Sequence, residues 1–130
     1  NLCDFDELQM IHNRMDRLLG ESGCYLDDLF FCPHHPDSGF PEERKKYKVL
    51  CQCRKPATGM VEQAVAKYNL DLTKSWMIGD RSEDIQLAQN SGMRSILVQT
   101  GFFSLDDQLD LQHDYVAHDL FDAVKFIISN

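Results

Sequence analysis

Two short apolar runs, Trp76-Met77-Ile78 and Ser95-Ile96-Leu97-Val98, stand on either side of a polar-and-apolar segment, Ser82 to about Asn90, that stops at Gly92. This alternation constrains the fold more than any other feature of the chain. Two strands joined through a helix must run parallel, because a parallel pair needs a long crossover and a helix supplies it. A brief strand around Tyr115-Val116 and a helix from Asp119 to Ile128 continue the pattern. The expected fold class is therefore α/β, a Rossmann-like parallel sheet flanked by helices, with chemistry at the carboxyl ends of its strands.

Upstream, Leu8, Ile11, Met15 and Leu18 recur at steps of three and four, which predicts an amphipathic helix from Phe5 to Leu19. Asp4 followed by Glu7 reads as its N-cap and Gly20 as its stop. Leu29-Phe30-Phe31-Cys32 reads as a short buried strand, Pro36 to Lys48 as a polar loop, and Gly59 to Tyr68 as a second helix. At 130 residues the chain has the size of one domain, and no repeat or low-complexity tract divides it.

Lys and Arg number 13 against 21 Asp and Glu, a formal net charge of −8. Such a balance argues against nucleic acid, whose phosphates are bound by clustered cations. No apolar run reaches the roughly 18 residues of a spanning helix, and Asn1-Leu2-Cys3-Asp4-Phe5-Asp6-Glu7 lacks the basic head of a signal peptide. With five cysteines and no secretory signal, a reduced cytoplasmic compartment is expected over a disulfide framework. Cys3 and Cys24 are read as small buried hydrophobes.

The other three cysteines fall into a metal-ligand pattern, Cys32-Pro33-His34 with Cys51-Gln52-Cys53. Residues i and i+2 of an extended chain point to the same side with Cα atoms about 6.6 Å apart, so each pair can converge on one ion. Three thiolates and an imidazole make a closed tetrahedral zinc site, which has no open position for water and is structural. The ion would pin both ends of the loop spanning 32–53. His34 fits the same-face rule, and His35 is the alternative ligand.

Arg54-Lys55-Pro56 follows directly, placing a planar fork and a point charge on a loop that the metal would hold. Both cations suit phosphate oxygens, whereas Arg44, Lys45, Lys46 and Lys48 read as a solvated face. Asp80 stands at the carboxyl end of a strand, where a carboxylate can bind Mg²⁺ together with substrate phosphate, and Asp84 follows on the first helical turn. Asp80 can equally cap the Ser82 helix with Glu83 three residues on. Lys55 and Asp80 near the strand ends of one sheet favour a phosphate site.

These motifs, Cys32-Pro33-His34-His35-Pro36, Cys51-Gln52-Cys53-Arg54-Lys55-Pro56-x-x-Gly59-Met60, Met77-Ile78-Gly79-Asp80-Arg81-x-x-Asp84 and Leu97-Val98-Gln99-Thr100-Gly101, resemble the zinc-containing branch of the haloacid dehalogenase superfamily. Within it Gly59-Met60 and Thr100-Gly101 are most similar to the heptose 1,7-bisphosphate 7-phosphatases, and the histidinol-phosphate phosphatases are the alternative. The resemblance implies Lys55 as the catalytic lysine that steadies the phosphoryl group, and Arg54, Lys55 and Arg81 as substrate contacts. It also implies Asp80 as a Mg²⁺ ligand, and Cys32, His34, Cys51 and Cys53 as ligands of structural Zn²⁺. Thr58 stands where that family usually has Pro.

The resemblance further implies an Asp-x-Asp nucleophile motif closing a first strand, since transfer through an aspartyl-phosphate needs it. Asp4-Phe5-Asp6 has too little chain before it for a strand and runs straight into the helix, so it reads as a cap. Residues 1–130 are thus expected to be the C-terminal part of a HAD-like phosphatase domain lacking its first strands. By itself such a piece is expected to be inactive and to self-associate through an exposed sheet edge. A zinc-stabilised module that binds a phosphorylated ligand without catalysis is the reading from another functional class.

Overall fold

A computed structural model describes residues 4–37, 39, 41, 43–102 and 111–130. They divide into two compact units, Asn1–Leu50 and Cys51–Asn130.

The first unit is led by helix α1, Phe5–Glu21. Asp4 starts it with a reciprocal cap: the Glu7 backbone N–H donates to the Asp4 carboxylate at 2.9 Å, and the Asp4 N–H donates to the Glu7 carboxylate at 2.8 Å. The expected stop at Gly20 is corrected. The helix runs on to Glu21, and the left-handed residue is Gly23 at φ 70°. There the Gly23 N–H reaches the Gly20 carbonyl and the Cys24 N–H the Leu19 carbonyl, at 3.0 and 2.9 Å, closing a Schellman turn.

The strand expected at Leu29-Phe30-Phe31-Cys32 does not form. A strand needs a ladder partner, and no described residue pairs with this segment in a sheet. Aromatic contacts hold the segment instead. The Phe31 ring packs against Phe5 and His12 of α1, with centroids 6.2 and 5.7 Å apart. Beyond it, the polar loop contains a 3₁₀ turn at Lys45–Tyr47, whose Tyr47 carbonyl accepts from the His35 N–H at 2.8 Å. Cys24 is exposed, which corrects its reading as a buried hydrophobe, while Cys3 lies outside the described residues, as do positions 38, 40 and 42 of the loop.

The second unit contains helix α2, Gly59–Tyr68, strand β1, Trp76–Gly79, helix α3, Ser82–Ser91, strand β2, Arg94–Val98, strand β3, Tyr115–Ala117, and helix α4, Leu120–Ser129. A 3₁₀ turn at Leu72–Lys74 leads into β1. Asp71 caps it, and the Thr73 hydroxyl that donates to Asp71 at 2.6 Å holds that carboxyl below its ordinary pKa. The three strands form one parallel sheet in the order β1-β2-β3, with Ile78 opposite Ile96 and Leu97 opposite Val116.

Strand alternation explains how the sheet is covered. Ile96 and Val98 of β2 join Ala117 of β3 and Ala123 of α4 in the buried core, and Phe126 of α4 packs against that core, stacking on Tyr115 at 3.9 Å and meeting the Trp76 ring edge-on at 5.8 Å. Leu97 faces the other way, and α3, which buries Ile85, Leu87 and Ala88, packs against β1 and β2. Gly92 ends α3 at φ 71° and turns the chain into β2. Among the described residues no helix is long and apolar enough to cross a membrane.

Candidate phosphate and metal site

The loop between Cys53 and α2 is fastened at its base. The Gly59 N–H donates to the Gln52 carbonyl at 2.8 Å, and a Cβ on Gly59 would fall 2.4 Å from that oxygen, so only glycine permits the closure. Arg54 and Lys55 ride on this loop, both exposed at the residue level. Its far side is tied to α3, where the Asn90 side-chain amide donates to the Pro56 carbonyl at 3.0 Å.

Lys55 then reaches the carboxyl end of β1. Its ammonium donates to the Asp84 carboxylate, whose side chain is only 6% exposed against 43% for that of Lys55. Asp84 lies on the first turn of α3, directly against the backbone of Gly79; a Cβ on that glycine would overlap the Asp84 carboxyl group. The strand must therefore end in glycine for the carboxylate to fit. Asp80, the next residue, is half-buried, and its Oδ2 accepts from the Phe102 N–H at 2.7 Å. Lys55, Asp84 and Asp80 are thus gathered at one strand end, as the topology of an open parallel sheet demands of a ligand site.

Asp84, expected only to follow Asp80 on the first helical turn, is the carboxylate that receives Lys55. Its four-residue step from the strand-end Asp80 puts it on that turn, but the spacing does not show that its side chain turns inward to Lys55. Asp80 does not cap α3. Arg81 occupies the N-cap position without a side-chain bond, so the capping alternative is set aside. Arg81 lies at the rim, its guanidinium 3.7 Å from the Glu83 carboxylate and 5.1 Å from the Phe102 ring centre.

Each unit carries one of the two expected zinc pairs. In the first, Cys32 Sγ lies 3.8 Å from His34 Nδ1. In the second, the Sγ atoms of Cys51 and Cys53 are 3.2 Å apart. Such distances let the two donors of each pair meet one ion, and thiolate and imidazole are donor types compatible with zinc. His34 lies beside Cys32, whereas His35 Nδ1 accepts from the Asp37 N–H at 3.2 Å.

Residues 52–123 match the HAD-hydrolase-like family. The D-glycero-D-manno-heptose-1,7-bisphosphate 7-phosphatase of Thermosynechococcus vestitus is 39% identical over 96% of this chain and 66% of its own length. The D-glycero-beta-D-manno-heptose-1,7-bisphosphate 7-phosphatase of Yersinia pestis is 40% identical over 87% of this chain and 58% of its own. A crystal structure of the D,D-heptose 1,7-bisphosphate phosphatase from B. bronchiseptica, complexed with magnesium and phosphate, superposes with a TM-score of 0.81 at 33% identity, over 97% of this chain and 65% of that one. The chain spans about two thirds of the length of such relatives or somewhat less. With the match over residues 52–123 and the parallel sheet whose β1 ends in Gly79-Asp80, the chain belongs to the HAD-hydrolase-like family.

Proposed function

We propose that this chain is the greater part of a Mg²⁺-dependent phosphatase acting on a phosphorylated sugar, D-glycero-D-manno-heptose 1,7-bisphosphate, which it converts to the 1-phosphate. The observation that carries the reading is the cluster at the end of β1. There a lysine held by a buried carboxylate stands beside a second carboxylate in a chain similar to heptose-bisphosphate phosphatases. In this reading Asp80 binds Mg²⁺, Lys55 neutralises the phosphoryl oxygens, and Arg54 and Arg81 contact the substrate. Magnesium supplies charge neutralisation for phosphate and leaving group.

Asp4 is committed to capping α1. We therefore place the aspartate nucleophile in the third of the relatives' length that this chain does not span. Zinc bound by Cys32, His34, Cys51 and Cys53 is the structural ion of the proposal, and thiolate ligation suits a reducing compartment such as the cytoplasm. β1 stands at an edge of the sheet among the described residues, and pairing through it gives the isolated chain a route to self-association.

The test is phosphate release by the enzyme carrying its nucleophile segment, in Mg²⁺, from heptose 1,7-bisphosphate and from histidinol phosphate. Preference for the sugar, abolished by Asp80→Asn and cut about 10²- to 10³-fold by Lys55→Ala, is expected. Preference for histidinol phosphate assigns the sister activity. Tight phosphate binding without turnover assigns a binding module.

A further inference from the structure

Gly101 and Phe102 lie beyond β2, yet they touch both Asp80 and Arg81. The Phe102 N–H donates to Asp80 Oδ2 at 2.7 Å. Gly101 adopts φ +67°, and a Cβ there would fall 2.1 Å from the same oxygen. The Phe102 side chain, 54% exposed, sets its ring 5.1 Å from the Arg81 guanidinium, whose other neighbour is Glu83 at 3.7 Å. One dipeptide thus addresses two adjacent residues of the site by two separate means. Its backbone engages the carboxylate, and its ring engages the cation.

We propose that Gly101-Phe102 is a positioning element: its backbone pins Asp80 by one oxygen and so leaves Oδ1 to the divalent cation, and its ring holds Arg81 at the rim for an anionic substrate. The inference rests on the cation reading of Asp80 given above. A hydrogen bond to a ligating carboxylate fixes its rotamer before the ion arrives, and losing such a partner typically weakens metal affinity about 10- to 100-fold. Glycine is needed at 101 because any side chain would push the carboxylate away and the positive φ disfavours other residues. An aromatic face beneath a guanidinium restrains its orientation, and at an exposed site that contact is worth roughly two- to fivefold in affinity.

Two titrations of the enzyme carrying its nucleophile segment separate the roles: Mn²⁺ binding followed by electron paramagnetic resonance, and inorganic phosphate binding in the presence of Mg²⁺. Gly101→Ala is expected to weaken Mn²⁺ by about tenfold or more while keeping the wild-type circular dichroism spectrum. Phe102→Ala keeps the backbone N–H, so Mn²⁺ affinity should stay within about twofold while phosphate weakens roughly two- to fivefold. That loss should vanish when Arg81 is already alanine, because the ring acts through Arg81. Unchanged Mn²⁺ affinity in Gly101→Ala overturns the backbone role. Loss in Phe102→Ala that adds fully to that of Arg81→Ala overturns the ring's role, and this arm stands even where Gly101→Ala fails to fold. Asp80→Asn is the control for the underlying reading: if it binds Mn²⁺ as the wild type does, the cation site itself is refuted, whereas its loss beside an intact Gly101→Ala refutes only the positioning element.

Discussion

Lys55 and Asp84 are unequal partners. The carboxylate is nearly buried and the ammonium is half in water, so removing one is not equivalent to removing the other. Lys55→Met leaves a buried charge unpaired and is expected to cost about 2 kcal/mol, below the 3–5 kcal/mol of a fully buried pair because solvent reaches the lysine side. Asp84→Asn leaves an ammonium that water can solvate and should cost about 1 kcal/mol. Urea denaturation of both variants checks this; a larger loss for Asp84→Asn would contradict it. The lysine was recognisable from Cys53-Arg54-Lys55-Pro56 alone, but its partner lies 29 residues away and was not. Nothing in local sequence says which of the acidic side chains at 80, 83 and 84 turns inward. The burial of one face of α3 decides it.

Elements whose ends are set by neighbours within one turn were readable from sequence. The capping box at Asp4 and Glu7 and the stop at the left-handed Gly92 follow from donors and acceptors within a turn, whereas Asp119, expected as the start of the last helix, is the N-cap of α4. At Asp119 the side chain accepts from the Asp122 N–H at 2.9 Å, and this bond, with burial opposing and His118 assisting, holds the carboxyl below its ordinary 3.8. A carboxyl whose folded pKa is depressed contributes stability that is present above the unfolded value and lost as pH falls through the folded one. Thermal melts of wild type and Asp119→Ala should therefore differ at neutral pH and converge as the pH drops below about 4. A gap that stays constant with pH would remove the cap from the account. Leu29-Phe30-Phe31-Cys32 shows the opposite case. Its residues have high strand propensity, but no strand forms without a ladder, and Phe31 spends its surface on Phe5 and His12 instead.

At the scale of the molecule, the proposed zinc ion has a stoichiometry to be checked. Elemental analysis of protein purified without chelator should give about one zinc per chain. Cys51→Ser should lower that content, and removal of zinc with a strong chelator should open residues 34–51 to protease, because that loop has few apolar side chains to shape it. Full zinc occupancy in a Cys51→Ser/Cys53→Ser variant would exclude the proposed ligand set. Sequence alone determined the α/β alternation, the parallel sense of β1 and β2, and the helix limits at Gly59 and Tyr68, since each depends on periodicity or spacing along the chain. Tertiary structure decided what depends on approach through space: that Asp84 rather than open solvent receives Lys55, that Gly101-Phe102 returns to Asp80, and that residues 29–32 stay out of any sheet. The reason is the same in all three. A side chain's partner across the fold is chosen by which surfaces are buried together, and that choice leaves no period in the sequence.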